Sequence, residues 1–153
     1  MSQHLQILVD ADSCPVKDEI YKVALRHQIP VKVIANSFIK IPDFRLVERV
    51  AVSNDFDAAA DYIVEHADPK TVVVTADILL AERCLKVGAT VLAPKGIPFT
   101  ANSIGTAVAT RALMEDLRAG GQQHGGPAPF SPADRSRFLA ALHDALVRMK
   151  RLK

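Results

Sequence analysis

The sequence predicts an α/β protein: a three-layer α/β/α domain around a central, mainly parallel sheet. Three observations carry this expectation. Short apolar runs at Leu5–Val9, Val31–Ala35, Thr71–Thr75 and Ala89–Leu92 alternate with longer segments of helical spacing, the pattern of strand–helix–strand units joined by right-handed crossovers. Three consecutive valines at 72–74 suit a strand covered on both faces, as parallel strands are. The 153 residues fit one domain spanning 1–153, and a chain of this size buries roughly 70% of its unfolded surface without needing a disulfide or structural metal.

Taken in order, Gln6–Val9 is the core of the first strand and runs directly into acids. Pro15 suits a first helical turn, and Ile20, Val23 and Ala24 carry helical spacing, so about 16–28 is a helix that Pro30 ends. Val31–Ala35 is the second strand, Asn36–Asp43 a loop, and Leu46–Val52 suits a third strand through Val47, Val50 and Val52. The Ala-rich Asp57–Ala67 is a helix, Asp68-Pro69-Lys70 a turn and Thr71–Thr75 a strand. Asp77 can cap a helix over Ile78–Val87, and Gly88 ends it. Ala89–Leu92 is a strand, Pro94-Lys95-Gly96 a turn, and Thr100–Ala119 a long helix with Gly105 its weak point. Gly120–Pro132, with four Gly and three Pro, is a loop. Ser131 caps a last helix whose stripe is Phe138, Leu139, Leu142, Leu146 and Met149. That stripe fits its own domain or a second subunit, so the oligomeric state stays open, a homodimer included.

Composition excludes several classes. Formal net charge is +2, from 19 Lys and Arg against 17 Asp and Glu, too balanced for bulk attraction to nucleic acid or an anionic membrane. Eight aromatics, six Phe and two Tyr, make an extensive base-stacking platform unexpected. Cys14 and Cys84 lack CxxC spacing and fit a reducing cytoplasm. The first residues lack the basic and apolar regions of a signal peptide, and no run approaches the ~18 apolar residues of a membrane span. The basic tail Arg148, Lys150, Arg151 and Lys153 is first a helix C-terminus favoured by its dipole, and second a means of steering nucleic acid.

Chemistry concentrates where strands end. Val9 is followed by Asp10-Ala11-Asp12, and Thr75 by Ala76-Asp77. In a doubly wound sheet both ends open on one edge, where functional residues gather. If the two strands are neighbours, Asp10 and Asp77 lie close, and carboxylates that close hold a cation or share a proton. Oxygen-only ligands favour Mg²⁺ or Mn²⁺. Asp57 and Asp61 share a face at the start of the Ala-rich helix and can complete the set. Each acid alone also reads as a cap or turn residue. Cys14 is either a nucleophile at a helix start or a small buried side chain, and Ser13, Asn36 and Ser37 either touch phosphate or shape turns. Gly125-Gly126-Pro127 is a turn, not a phosphate loop.

Five segments together resemble one family: Val9-Asp-Ala-Asp-Ser-Cys-Pro15, Ala35-Asn36, Phe56-Asp57, Thr75-Ala-Asp-Ile-Leu-Leu-Ala81, and Gly125-Gly-Pro127 with Asp134-Arg135. Over nearly its whole length the chain resembles the YaiI/YqxD family of bacterial proteins, whose fold is PIN-like, that is, nuclease-like. The resemblance implies a metal-dependent ribonuclease with acids at the ends of the first and fourth strands, the places of Asp10 and Asp77, with Asp12 beside the first. The chain departs from the family pattern twice. That pattern, Phe-Asp-x-Ala-Asp, puts an acid where this chain has Ala60, and it has Pro where this chain has Leu79.

The leading expectation is therefore an Mg²⁺- or Mn²⁺-dependent nuclease acting on RNA. Asp10, Asp77 and Asp12 are its catalytic candidates, and Asp10, Asp12, Asp57 and Asp77 its metal-ligand candidates. A strand followed by Asp-x-Asp also opens haloacid-dehalogenase-like phosphatases, with Asp10 as nucleophile and Asp12 as general acid. A third reading is a non-catalytic module that binds RNA or a protein partner.

Overall fold

The computed structural model describes residues 4–55, 57–119 and 130–151. Residues 120–129, on which most of the expected Gly/Pro-rich loop and the expected Gly125-Gly126-Pro127 turn fall, lie outside the described residues, as do Phe56 and Lys153.

The elements are β1 (Gln6–Asp10), a 3₁₀ turn (Ala11–Ser13), α1 (Lys17–His27), β2 (Val31–Ala35), β3 (Val47–Ala51), α2 (Ala58–His66), β4 (Thr71–Val74), α3 (Ile78–Lys86), β5 (Thr90–Leu92), β6 (Pro98–Phe99), α4 (Ala101–Ala119) and α5 (Pro132–Arg151). The sheet order is β3-β2-β1-β4-β5-β6. The pairings from β3 through β5 are parallel, and β6 returns antiparallel on β5. Strand order therefore reverses between β1 and β4, the switch point of a doubly wound sheet.

Each face of the sheet carries its own apolar layer. Ile7, Val9, Val31, Val33, Val72 and Val74 point into one layer with α1 and α5. Leu8, Ile34, Val73 and Val91 point into the other with α2, α3 and α4. The alternation is the period-2 side-chain rule of a strand buried on both faces, and it explains why Val72, Val73 and Val74 are all fully buried. The three-layer α/β/α architecture that the sequence predicts is thus the one observed. The α5 stripe lies on its own domain: Phe138, Leu142, Ala145, Leu146 and Met149 are buried against α1 and the sheet.

Local signals explain the boundaries. Gln28 takes the left-handed conformation (φ 56°) as α1 ends, and Gly88 (φ 86°) follows α3. Pro132 is the first residue of α5 rather than the last of the loop, because a missing N–H costs nothing in a first helical turn. Ser131 Oγ accepts from Asp134 N (3.1 Å) and Asp134 Oδ2 from Ser131 N (3.0 Å), a reciprocal cap. The strand β6 is not foreseen by the sequence, since two residues carry no periodicity. Its Pro98 is tolerated because it lies on an edge. Among the described residues no helix is long and apolar enough to cross a membrane.

Candidate functional site

The parallel register of β1 and β4 pairs Val9 with Val74, so the next residues, Asp10 and Thr75, emerge together at the carboxyl edge of the switch point. Thr75 is almost fully buried and its hydroxyl works in both directions. Thr75 Oγ1 donates to Asp10 Oδ2 (2.8 Å) and accepts from Asp77 N–H (2.9 Å). One side chain therefore ties the end of β1 to the start of α3. Asp77 is the N-cap of α3 (φ −82°, ψ 108°), its Oδ1 accepting from Leu79 N (3.0 Å) and Leu80 N (3.3 Å). Among the described residues, Asp10 Oδ1 and Asp77 Oδ2 make no hydrogen bond, so each acid keeps one oxygen for a ligand.

The electrostatics are one-sided. Burial pushes the Asp10 carboxyl above its ordinary value of 3.8; the Thr75 hydroxyl opposes this, and the charges of Asp77 and Asp12 raise it further. The ion pairs of the described residues use Asp61, Glu115, Glu19 and Asp134, and none reaches Asp10, Asp12 or Asp77.

Asp12, in the 3₁₀ turn, is exposed and already engaged. Its Oδ1 accepts from Ser37 Oγ (3.1 Å) and its Oδ2 from Asn36 N (3.3 Å). Asn36 and Ser37 thus serve to anchor the chain after β2 to the acidic turn. Cys14 is a buried core residue, its thiol pushed up by burial, which makes it a poor nucleophile. Lys17 Nζ donates to the carbonyls of Cys14 (2.8 Å) and Ala11 (3.4 Å), fixing the turn that carries Asp12.

Asp57 is placed at the N-terminus of α2 in the left-handed region (φ 67°), a conformation Asp tolerates, with no side-chain capping bond. It is exposed and is not among the charges acting on Asp10. Asp61 is drawn away: it pairs with Arg83 of α3 at 2.9 Å. Ala60 is half-buried against the α2–α3 layer. The structure therefore brings Asp10, Thr75, Asp77 and Asp12 together, pairs Asp61 with Arg83, and gives Asp57 no capping bond. Thr75 is the member that sequence reasoning missed as a site residue. Its signal was present as a hydroxyl at a strand end two residues before an acid.

Among the described residues, no three His, Cys, Asp or Glu side chains are arranged to hold a metal ion. The donor set is therefore not a closed protein cage. Two free carboxylate oxygens at one strand edge fit the other mode of a hard cation, in which Mg²⁺ takes one or two carboxylates and fills its remaining positions with water and substrate phosphate.

The family model described as uncharacterised BCR, YaiI/YqxD family, matches residues 8–148. A UPF0178 protein of Sphingopyxis alaskensis is 65% identical over 146 residues, covering 95% of each chain. One from Brucella ovis is 60% identical over 95% of this chain and 91% of its own. One from Bradyrhizobium diazoefficiens is 57% identical over 95% of this chain and 87% of its own. No solved structure matches the chain. A match that begins in β1 and ends in α5, with relatives of this identity over nearly the whole length, means that the chain belongs to the YaiI/YqxD family.

Proposed function

We propose that the protein is a PIN-like, metal-dependent ribonuclease whose reaction centre is the Asp10–Asp77 pair. The observation that carries this reading is Asp10 itself: a desolvated carboxylate with two acidic neighbours, a neutral hydroxyl as its hydrogen-bond partner, and no ion pair among the described residues. Such an arrangement is costly unless a cation occupies it. In this reading Asp10 Oδ1 and Asp77 Oδ2 would hold Mg²⁺ or Mn²⁺. The bound cation would supply a water of lowered pKa and charge stabilisation for the phosphate oxygens. Thr75 holds the Asp10 carboxylate in one orientation, so the ligand oxygen is aimed before substrate arrives. Asp12, whose oxygens already accept two hydrogen bonds, orders water at the rim. Asp57, exposed at the start of α2, would contact the hydration shell or the RNA backbone. The protein works in the cytoplasm.

The experiment is cleavage of single-stranded RNA with Mn²⁺ by the native chain and by the Asp10→Asn and Asp77→Asn variants. Loss of cleavage in both variants is expected. Equal activity in all three chains overturns the assignment.

A further inference from the structure

Phe38 is 76% exposed, the most exposed large apolar side chain among the described residues. A lone exposed apolar residue is ordinary on a protein surface, so its surroundings decide what it means. Phe38 lies early in the crossover from β2 to β3. Ile39 and Ile41, in the same segment, pack on the layer beneath α1 and α5. Phe38 stands outward instead.

The ring is held on two sides. Arg49 of β3 lies opposite Val33 in the parallel register, and Val33 points into the α1/α5 layer, so Arg49 projects from that face too. Its guanidinium stands over the Phe38 ring, 4.4 Å from the centroid. Its Nη1 donates to the Ile39 carbonyl at 3.3 Å. One side chain thus backs the ring and pins the main chain beside it. On the other side, Ser37 Oγ donates to Asp12 Oδ1 and Asn36 N to Asp12 Oδ2. The segment that carries the ring is therefore tied both to the edge strand and to the acidic turn.

An exposed cation–π pair adds little stability by itself. A ring with a guanidinium behind one face and solvent before the other is suited to stack a third planar group. Every nucleobase has a π-face, and base–aromatic stacking with cationic support is how single strands are held without regard to sequence. Lys40 and Arg45, exposed in the same crossover with Asp43 as its one acid, suit a polyanion. A single ring also agrees with a chain of only eight aromatics.

Position connects the ring to the acid pair. Asp10 is in register with Ile34, and Phe38 follows four residues later, so the two Cα atoms lie at most about 20 Å apart. Arg49 and its ring stand on the α1/α5 side of the sheet. Asp10 follows Val9, which points to that side, and so projects to the other. A strand laid across the carboxyl edge passes both.

We propose that Phe38, backed by Arg49, takes one unpaired base of single-stranded RNA as the strand crosses the carboxyl edge to the Asp10–Asp77 pair. The choice of ligand rests on the ribonuclease reading. Phe38 binds substrate and takes no part in the chemistry.

The chain contains no tryptophan, so Phe38→Trp places a single fluorophore at the platform. The full chain is titrated with a short single-stranded RNA in EDTA, where binding is read without cleavage. Emission of Phe38→Trp should be quenched saturably. A duplex of the same sequence, whose bases are already stacked on one another, should bind at least about tenfold more weakly. By anisotropy of labelled RNA, Phe38→Ala and Phe38→Leu should each weaken binding about tenfold, the worth of one stacked base, and Phe38→Trp should keep native affinity. Leucine retains apolar bulk without a π-face, so native affinity in Phe38→Leu overturns stacking. So does native affinity in Phe38→Ala, saturation of Phe38→Trp without quenching, or absence of RNA binding by the native chain. Cleavage with Mn²⁺ is scored separately. In Phe38→Ala it should show a raised KM and a nearly native kcat. Cleavage unchanged in Phe38→Ala at subsaturating RNA overturns the platform and leaves the acid pair standing. Phe38-dependent binding with no cleavage by the native chain supports the platform and sinks the ribonuclease reading.

Discussion

At the scale of single residues, Asp77 holds two positions that one substitution can separate. As an N-cap it satisfies two amides of α3, and as an acid it faces Asp10. Asparagine caps about as well as aspartate, whereas alanine does not. Asp77→Asn should therefore keep native stability within a few tenths of a kcal/mol, while Asp77→Ala should lose about 1 kcal/mol, lowering Tm by about 2–4 °C for a chain of this length. Thermal unfolding of the two variants checks the difference. Asp10 runs the other way. Its folded-state pKa lies above the ordinary 3.8, so its favourable contribution is complete below that value and disappears as pH rises through the folded pKa. At neutral pH the ionised group costs stability. Asp10→Asn, whose Oδ1 can still accept from Thr75, should raise Tm near pH 7, with the gain shrinking as pH falls through the folded pKa. A lower Tm in Asp10→Asn at neutral pH would contradict this account of the site. The acids themselves were legible because short strands ending in Asp are visible in the sequence. The Thr75 bridge was not, because it depends on the β1–β4 register, which no local pattern encodes.

At the scale of elements, boundaries fell within about a residue of expectation wherever a cap, a proline or a change of period marks them. Two features lay beyond reach for physical reasons. The β6 strand is two residues long and exists because the turn over residues 93–96 folds it back onto β5, with Ala93 N donating to Ile97 O at 3.0 Å. The second is the place of Asp61, which the sequence offers as a site acid and the structure pairs with Arg83. The β5–β6 turn also makes a prediction. Gly96 has φ +87°, and a Cβ there would stand 2.7 Å from the backbone of Arg137 and Phe138 in α5. Gly96→Ala combines a left-handed backbone penalty with a clash against rigid main chain. It should cost about 2–4 kcal/mol, lowering Tm by about 5–15 °C. Calorimetry on this variant tests whether α5 is truly seated against that turn.

At the scale of the molecule, the parallel order β3-β2-β1-β4-β5 places Asp10 and Thr75 at the one carboxyl-edge crevice such a sheet possesses. Fold class follows from patterning alone, because burial on both faces of β1, β2 and β4 leaves few arrangements open. The site follows only in part, because neighbouring strands in space are not neighbours in sequence: 65 residues separate Asp10 from Thr75. The two cysteines provide a further consequence of the same layering. Cys14 sits in the layer beneath α1 and α5, and Cys84, its thiol raised to about 11, in the layer beneath α3. Neither can meet a thiol reagent until its own side of the sheet opens. Labelling rates followed by mass spectrometry therefore time the opening of each half separately. Equal opening free energies at the two sulfurs would mean that the halves part together, and unequal ones that the molecule comes apart one face at a time.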